Sequence, residues 1–577
     1  MNFRYDPTSE KLIVSQSTRT EYHQIKIWLE RYVKGYKFMP AFKMGVWNGK
    51  QSYFDNGKVN LGLWKECFLA CKEVEVPFII DNKEDFPINR NITLDELTLF
   101  CQEFFAEHKV KDKKTGEWKD FNPYDYQIET AYKILKNRYC MAEVATSGGK
   151  SLIISIIIFY ILNRVNPDAK FLIIVPSITL VTQFYDEIKK FYWSENKIEN
   201  PHDWAYEVEL SNGKIFQQDP SEKIMTDNRD VISADDLKVG DIVTNQTIKR
   251  ITKIKILEPI RIEEIMSDRP RKPINENPNI YISTYQSLEK YPKEFFQQFH
   301  TVTCDEAHGC KSATLLSILK KTFGYAYNRF GVSGTFPSDD SLEILSIQSV
   351  LGPKVTQIEA KKLVELGTIT PMKIKAVILN HNLPDINERI NYIKKMGAGS
   401  DAFRIEKQFI QESEKRLDFI KKIVEKCYDN TLLLFQNIEY GKKIFEKLKA
   451  EVTDKDFYYI DGEVNNKNRN IIKAEMDKTD GNVKVLVASY LTLGTGVSIN
   501  AIFNVIFADS YKSEQIVIQS IGRSLRKHSE KKVATIFDLV DVFDPKDMNN
   551  ILYRHFKERE KFYKKREYPY SEIKINL

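Results

Sequence analysis

The sequence predicts an α/β protein: two tandem lobes with parallel sheets, a small N-terminal α+β domain, and a β-rich insertion in the first lobe. Three observations predict it. Short apolar runs that end in polar or turn residues recur along the chain (Tyr139–Ala145, Phe171–Pro176, Thr431–Asn437, Val485–Ser489), as strands buried on both faces read. Helical stretches separate them, as parallel strands require. The length of 577 residues allows about three or four domains.

Composition excludes several classes. With 42% hydrophobic and 29% charged residues, the chain can bury a core and is not disordered throughout. Lys and Arg number 86 against 80 Asp and Glu, so the net charge of +6 rules out binding by bulk positive charge. The seven cysteines include Cys67 and Cys71 on one helical face, but no second pair completes a zinc site. They read as reduced, buried thiols, which fits the cytoplasm. The N-terminus carries no apolar signal core, and the longest apolar run, Leu152–Leu162, is shorter than the ~18 residues of a membrane span. A soluble cytoplasmic enzyme without membrane contact is expected.

Residues 1–115 form the expected N-terminal domain. The first fifty residues hold nine Lys and Arg against four Asp and Glu. Within Gly35–Lys50, Tyr36, Phe38, Phe42 and Trp47 alternate with Lys37, Lys43 and Lys50. Aromatic faces beside cations suit bases and phosphates, which makes Lys37, Lys43, Trp47 and Lys50 candidate nucleic-acid contacts. The other reading is a small domain whose aromatics form its core.

The first lobe is expected over 116–360. Strand Tyr139–Ala145 runs into Thr146-Ser147-Gly148-Gly149-Lys150-Ser151 and then a helix. Strand, glycine turn, Lys-Ser and helix make a nucleotide phosphate cradle, with backbone N–H groups aimed at phosphate. Lys150 would neutralise the β/γ-phosphates and Ser151 would bind Mg²⁺. The full motif has glycine where this chain has Val144, so a helix-capping turn stays open on these residues alone. A second strand ends in Asp305-Glu306-Ala307-His308. Two carboxylates at the C-terminal edge of such a sheet suit ATP hydrolysis. Asp305 would hold Mg²⁺, Glu306 would deprotonate the attacking water, and His308 would couple the site to the rest of the chain.

With these motifs the chain resembles superfamily 2 helicases of the DEAH-box type, which implies RecA-like lobes, ATP and Mg²⁺. Tyr126 and Gln127 resemble the motif that reads adenine. Pro176, Ser177, Thr182 and Gln183, and then Thr284 and Tyr285, resemble loops that contact a nucleic-acid strand. Ser333-Gly334-Thr335 resembles the motif that couples hydrolysis to movement.

The second lobe, 361–577, starts at a segment resembling the inter-lobe connection, Leu363–Pro371. Gln519-Ser520-Ile521-Gly522-Arg523-Ser524-Leu525-Arg526 fits the helicase pattern Gln-x-x-Gly-Arg-x-x-Arg. Arginines from a second, movable domain stabilise charge on the γ-phosphoryl oxygens when the cleft closes. Arg523 and Arg526 share a helical face, and Gln519 and Gly496 would line the same cleft.

The N-terminal segment and the motif order also resemble a family of branched-DNA helicases of tailed bacteriophages. That resemblance implies fork regression and Holliday-junction or D-loop branch migration in recombination, repair and replication. It also implies action on R-loops (RNA–DNA hybrids), strand annealing, and single-strand-binding or recombination proteins as partners. The insertion, about 196–277, departs from this family; its SADDLKVGDIV phrase resembles a Hint module but lacks the splicing residues. The tail from Ile551 reads as a charged helix, packed on the motor or guiding a strand. The alternatives are a restriction-type translocase, an RNA helicase, or a non-catalytic DNA-binding or annealing protein.

Overall fold

The structure is a computed structural model. It describes residues 1–577 except 84–85, 87–90, 112–116, 194–203, 219–222, 229, 234–235, 256–259, 267–276, 479–480, 491, 493–498, 500, 510, 512 and 525–532.

Two seven-stranded sheets dominate it. The first runs Ile262–Ile265, Ile280–Thr284, Phe171–Val175, Thr301–Asp305, Asn328–Ser333, Tyr139–Val144 and Lys354–Ile358, with every neighbouring pair parallel. Helices cover both faces, so the central strands are buried end to end. Parallel strands share one C-terminal edge. Val144, Val175, Thr284, Asp305 and Ser333 therefore finish side by side.

The second sheet runs Asp456–Ile460, Lys484–Ser489, Thr431–Phe435, Asn504–Phe507, Ala534–Val542, Met372–Asn380 and Tyr570–Asn576, again all parallel. These are tandem RecA-like lobes. The charged tail packs on the second lobe: Leu552, Phe556, Arg559 and Tyr563 of helix Ile551–Lys565 are buried, and Arg559 donates to both carboxylate oxygens of Asp538 at 2.8 and 3.0 Å. The chain then adds the edge strand Tyr570–Asn576, which its mostly polar sequence did not announce.

The N-terminal unit is a four-stranded sheet, Lys58–Asn60, Lys11–Ser15, Asn2–Asp6 and Ile79–Ile80, with helices Arg19–Trp28 and Trp64–Glu73. It ends well before residue 115. Helix Leu94–Phe105 buries Leu97, Phe100, Cys101 and Phe105 in the core of the first lobe, where Phe100 meets Tyr160 edge-on. The apolar face of that helix outweighs its place in the sequence. The N-terminal unit is fixed to the first lobe by a buried ion pair: the Arg329 guanidinium holds the Glu10 carboxylate, both about 1% exposed. Tyr139 and Leu345 of the lobe complete the N-terminal core.

The insertion folds as antiparallel strands, Trp204–Leu210 with Ile215–Gln218 and Gln246–Lys255, and Lys223–Thr226 with Asp230–Ser233. It does not continue unbroken to 277, because Ile262–Ile265 returns to the first lobe as its parallel edge strand. All seven cysteines are buried and free. No helix among the described residues is long and apolar enough to cross a membrane.

Candidate functional site: a phosphate loop facing a second lobe

Strand Tyr139–Val144 delivers the loop and helix Lys150–Tyr160 receives it. Between them Ser147 (φ +67°) and Gly149 (φ +77°) take left-handed backbone conformations, a turn that aims successive N–H groups into one concavity. The first N–H groups of the helix have no partner within it. Gly149 is required twice over: besides its φ, an added Cβ would lie 2.2 Å from Gln127 Nε2.

Tyr126 and Gln127 are buried beneath this loop. The Tyr126 hydroxyl donates to the Gly148 carbonyl at 3.0 Å and Gln127 Nε2 donates to it at 3.3 Å. Gln127 Oε1 accepts from the Tyr124 N–H at 2.9 Å. These side chains thus support the phosphate loop from below, a role their sequence position did not reveal.

The neighbouring strand ends at Asp305, and Glu306 follows at φ +48°. A non-glycine residue there is strained, and the turn swings the Glu306 carboxylate onto the loop. Lys150 Nζ donates to Glu306 Oε1 at 2.9 Å. Glu306 Oε2 lies 3.4 Å from His308 Nδ1 and accepts from Ser333 Oγ at 3.4 Å. His308 Nδ1 and Ser333 Oγ are 2.9 Å apart. Lys150, Glu306, His308 and Ser333 therefore form one connected cluster. Gly334 joins it: a Cβ there would be 3.3 Å from Thr146 Oγ1 and 3.8 Å from Lys150 Nζ. Thr335 donates its N–H to Ser333 Oγ at 3.4 Å.

The two acids are pushed apart electrostatically. Burial pushes Asp305 up to about 7, opposed by Lys150 and reinforced by Glu306. Burial would raise Glu306 too, but the Lys150 ammonium and His308 outweigh it and hold the carboxyl well below the usual range. Asp305 Oδ1 is buried with no hydrogen-bond partner. An orphaned carboxylate oxygen beside a phosphate loop suits a hard divalent cation, with Ser151 as the second oxygen donor. No cluster of three His, Cys, Asp or Glu exists among the described residues, so phosphate oxygens and water would complete such a cation's shell.

The second lobe closes over the loop through helix Glu514–Ser524. Ser147 Oγ donates to the Gly522 carbonyl at 3.4 Å, and a Cβ on Gly522 would lie 2.4 Å from Thr146 Cβ. Gln519 and Arg523 lie on this helix. Gly496 and Arg526 fall outside the described residues. Away from the loop, Arg566 donates to Glu143 at 3.3 Å and Lys361 pairs with Glu567. The tail thereby grips the first lobe beside the connecting segment. Sequence spacing gave no sign of a contact between residues 423 apart.

The strand-contact candidates divide. Pro176 and Ser177 sit on the C-terminal edge, and Ser177 Oγ accepts from the Leu180 N–H at 3.4 Å. Thr182 is exposed one turn on, and Gln183 is half-buried, donating to Glu187 at 2.6 Å. Thr284 is buried, its hydroxyl capping the next helical turn through the Ser287 N–H at 3.4 Å. Tyr285 beside it is half-exposed. Lys37, Lys43 and Trp47 lie between strands Glu30–Tyr32 and Lys50–Ser52 of the N-terminal unit, and Lys50 begins the second of these strands, far in sequence from the others.

Similarity to known proteins agrees with this geometry. Residues 120–338 match the family described as type III restriction enzyme, res subunit, and residues 415–528 match the helicase conserved C-terminal domain. The chain is 27% identical over 570 residues to the ATP-dependent DNA helicase uvsW of Enterobacteria phage T4, covering 96% of each chain. It is 27% identical over 303 residues to putative helicase 161L of Invertebrate iridescent virus 6, covering 50% of this chain and 60% of the relative. The ATP-dependent type ISP restriction-modification enzyme LlaBIII bound to DNA shares the fold, with a TM-score of 0.50 at 13% identity over 81% of this chain and 32% of that one. The chain is an ATP-dependent helicase that resembles the superfamily 2 helicases and, over nearly its whole length, the phage UvsW helicase.

Proposed function

We propose that the chain is an ATP- and Mg²⁺-dependent DNA translocase that remodels branched DNA, by fork regression and by branch migration of Holliday junctions, D-loops and R-loops. The observation that supports the motor reading most is the closed cleft. A phosphate loop, a general-base carboxylate held at 2.9 Å from Lys150, and a second lobe touching Thr146 and Ser147 meet in one place. The near full-length similarity to the T4 enzyme supports DNA as the track.

The roles follow from the chemistry. The loop N–H groups and Lys150 bind the polyphosphate. A bound phosphate competes with Glu306 for the Lys150 ammonium, and so leaves Glu306 free to take a proton from water. Ser151 and Asp305 would hold Mg²⁺, which when bound neutralises developing phosphoryl charge. Arg523 and Arg526, from the opposite lobe, stabilise that charge only when the cleft is shut. His308 and Ser333 tie Glu306 to the strand-contact edge. The partners are branched DNA and RNA–DNA hybrids, with single-strand-binding or recombination proteins alongside, and the setting is the host cytoplasm.

ATP hydrolysis measured with single-stranded, duplex, forked and four-way DNA and with RNA, at one fixed salt concentration, tests this reading. Forked and four-way DNA should stimulate most. Equal or stronger stimulation by RNA would make the chain an RNA helicase, and strong duplex stimulation without unwinding would make it a restriction-type translocase. Absence of hydrolysis with every substrate would leave a non-catalytic binding or annealing protein.

A further inference from the structure

The C-terminal helix Ile551–Lys565 is held in the second lobe as a rigid arm. Tyr563 donates its hydroxyl to Asp538 at 2.9 Å, beside the Arg559 pair, and both side chains are about 1% exposed. The arm ends in a closed cap: the Tyr568 N–H donates to the Tyr563 carbonyl at 2.9 Å and the Glu567 N–H to the Lys564 carbonyl at 3.1 Å. Glu567 takes φ +51° in this cap, where glycine is usual. A strained glutamate at such a position points to a use for the segment around it. Glu567 pairs with Lys361 of the helix Ala360–Glu365, and the preceding Arg566 crosses to the first lobe.

Arg566 meets a buried acid there. Glu143 is 5% exposed and stands on the strand that delivers the phosphate loop, opposite Ser333 on the neighbouring strand. Its Oε1 accepts from Arg566 at 3.3 Å and its Oε2 from Lys354 at 3.4 Å. One cation comes from each lobe. When Arg566 withdraws, Lys354 keeps the carboxylate from being stranded as a lone buried charge, so the cross-lobe bond can break and re-form. Two further contacts bear on the next few residues. Gly522 closes on Thr146 and Ser147, and Leu363 of the connecting segment packs on Gly148, its Cδ1 3.2 Å from where a Cβ there would sit. Three segments remote in sequence thus press on residues 143–148, and three separated points fix how one rigid body sits on another. Apolar side chains of similar volume would hold two bodies together at least as well as a buried ion pair. The planar guanidinium adds direction.

We propose that Arg566 is a positioning residue for ATP hydrolysis: through Glu143 it sets where the second lobe lands on the phosphate loop, so that helix Glu514–Ser524 arrives squarely over Thr146 and Ser147. It touches no reacting atom. The inference rests on hydrolysis at this cleft and is independent of which polynucleotide serves as the track.

The test uses the full chain. Arg566→Ala should lower kcat for ATP hydrolysis about 3- to 100-fold and leave KM for ATP within about 2-fold, the span expected for two coupled residues. Arg566→Lys should recover part of the loss. Glu143→Gln should reproduce it, and the double variant should be no slower than the worse single variant. Placement is read without hydrolysis by single-molecule energy transfer, with a non-hydrolysable ATP analogue bound and dyes on Glu289→Cys and Tyr428→Cys, both exposed positions and one on each lobe. The native cysteines are buried, which confines the labels to these two sites. The wild-type distribution should be single and narrow, and that of Arg566→Ala broad. Unchanged kcat, losses that multiply in the double variant, or an unbroadened distribution would overturn the proposal. So would a loss of activity that follows a lower unfolding temperature, with the folded fraction turning over at the wild-type rate. The functional reading fails differently: the wild-type chain then hydrolyses no ATP with any polynucleotide, while its distribution is still narrowed by Arg566.

Discussion

Gly522→Ala should cripple the motor without unfolding it. A Cβ at this position would lie 2.4 Å from Thr146 Cβ, 2.6 Å from its Cγ2 and 2.7 Å from its Oγ1, whereas ordinary contact begins at 3.4 Å. The shortfall from Thr146 Cβ is 1.0 Å. Rotating Thr146 about χ1 moves Cγ2 and Oγ1 but leaves Cβ in place, so only a shift of one lobe relative to the other relieves the clash. Overpacking of this kind costs roughly 1–3 kcal/mol. Here the cost falls on the closed cleft, because Gly522 and Thr146 belong to different lobes. Turnover should drop about 5- to 150-fold at one decade per ~1.4 kcal/mol. ATP binding to the loop of the first lobe should change far less, and the helix itself gains from Ala in place of Gly. The assay is DNA-stimulated ATP hydrolysis across an ATP titration, with thermal unfolding of the same preparation. Unchanged turnover would refute the closed-cleft contact. A loss of turnover matched by a large fall in unfolding temperature would show that Gly522 serves folding rather than closure.

Lys150→Ala should abolish ATP hydrolysis, and persistent turnover in a hydrolysis assay would remove the phosphate-cradle assignment. Arg526→Ala should lower turnover far more than ATP affinity; kinetics showing a pure affinity loss would contradict a charge-stabilising role from the second lobe. Asp541 is fully buried between Arg416, at 2.8 and 3.0 Å, and His381, at 3.0 Å. Burial opposes its charge, but these partners hold it well below its ordinary 3.8. A depressed carboxylate stabilises the fold above its unfolded value, and that contribution is lost as pH falls below about 4. Asp541→Asn should therefore cost about 3–5 kcal/mol at neutral pH, since Arg416 is left buried and unpaired, and unfolding of the variant should depend less on pH in the acid range. Denaturation curves at pH 7 and pH 3 that match the wild type would refute this.

Local chemistry made much of the motor legible. The strand before Thr146, the Gly148-Gly149-Lys150-Ser151 turn and the acid pair at Asp305 and Glu306 are encoded within a few residues each. A parallel sheet then has little choice about the edge on which they meet. Apolar runs likewise marked the buried strands of both lobes, because strands covered on two faces admit few polar residues.

What stayed hidden depends on distant packing. Helix Leu94–Phe105 joins the first lobe because its apolar face finds Phe159 and Tyr160. The edge strand Tyr570–Asn576 carries exposed polar residues and forms through backbone pairing with Met372–Asn380, which composition does not record. The support of Gly148 by Tyr126 and Gln127, and the grip of Arg566 on Glu143, join residues about 20 and 423 positions apart. The sequence alone determined where the glycine turn with Lys150 and the acid pair Asp305-Glu306 stand along the chain, because each is a short contiguous segment. Only the tertiary structure decided how the N-terminal unit, the two lobes and the tail bear on that site, because burial and ion pairing between remote segments are fixed by the packed chain and not by neighbours in sequence.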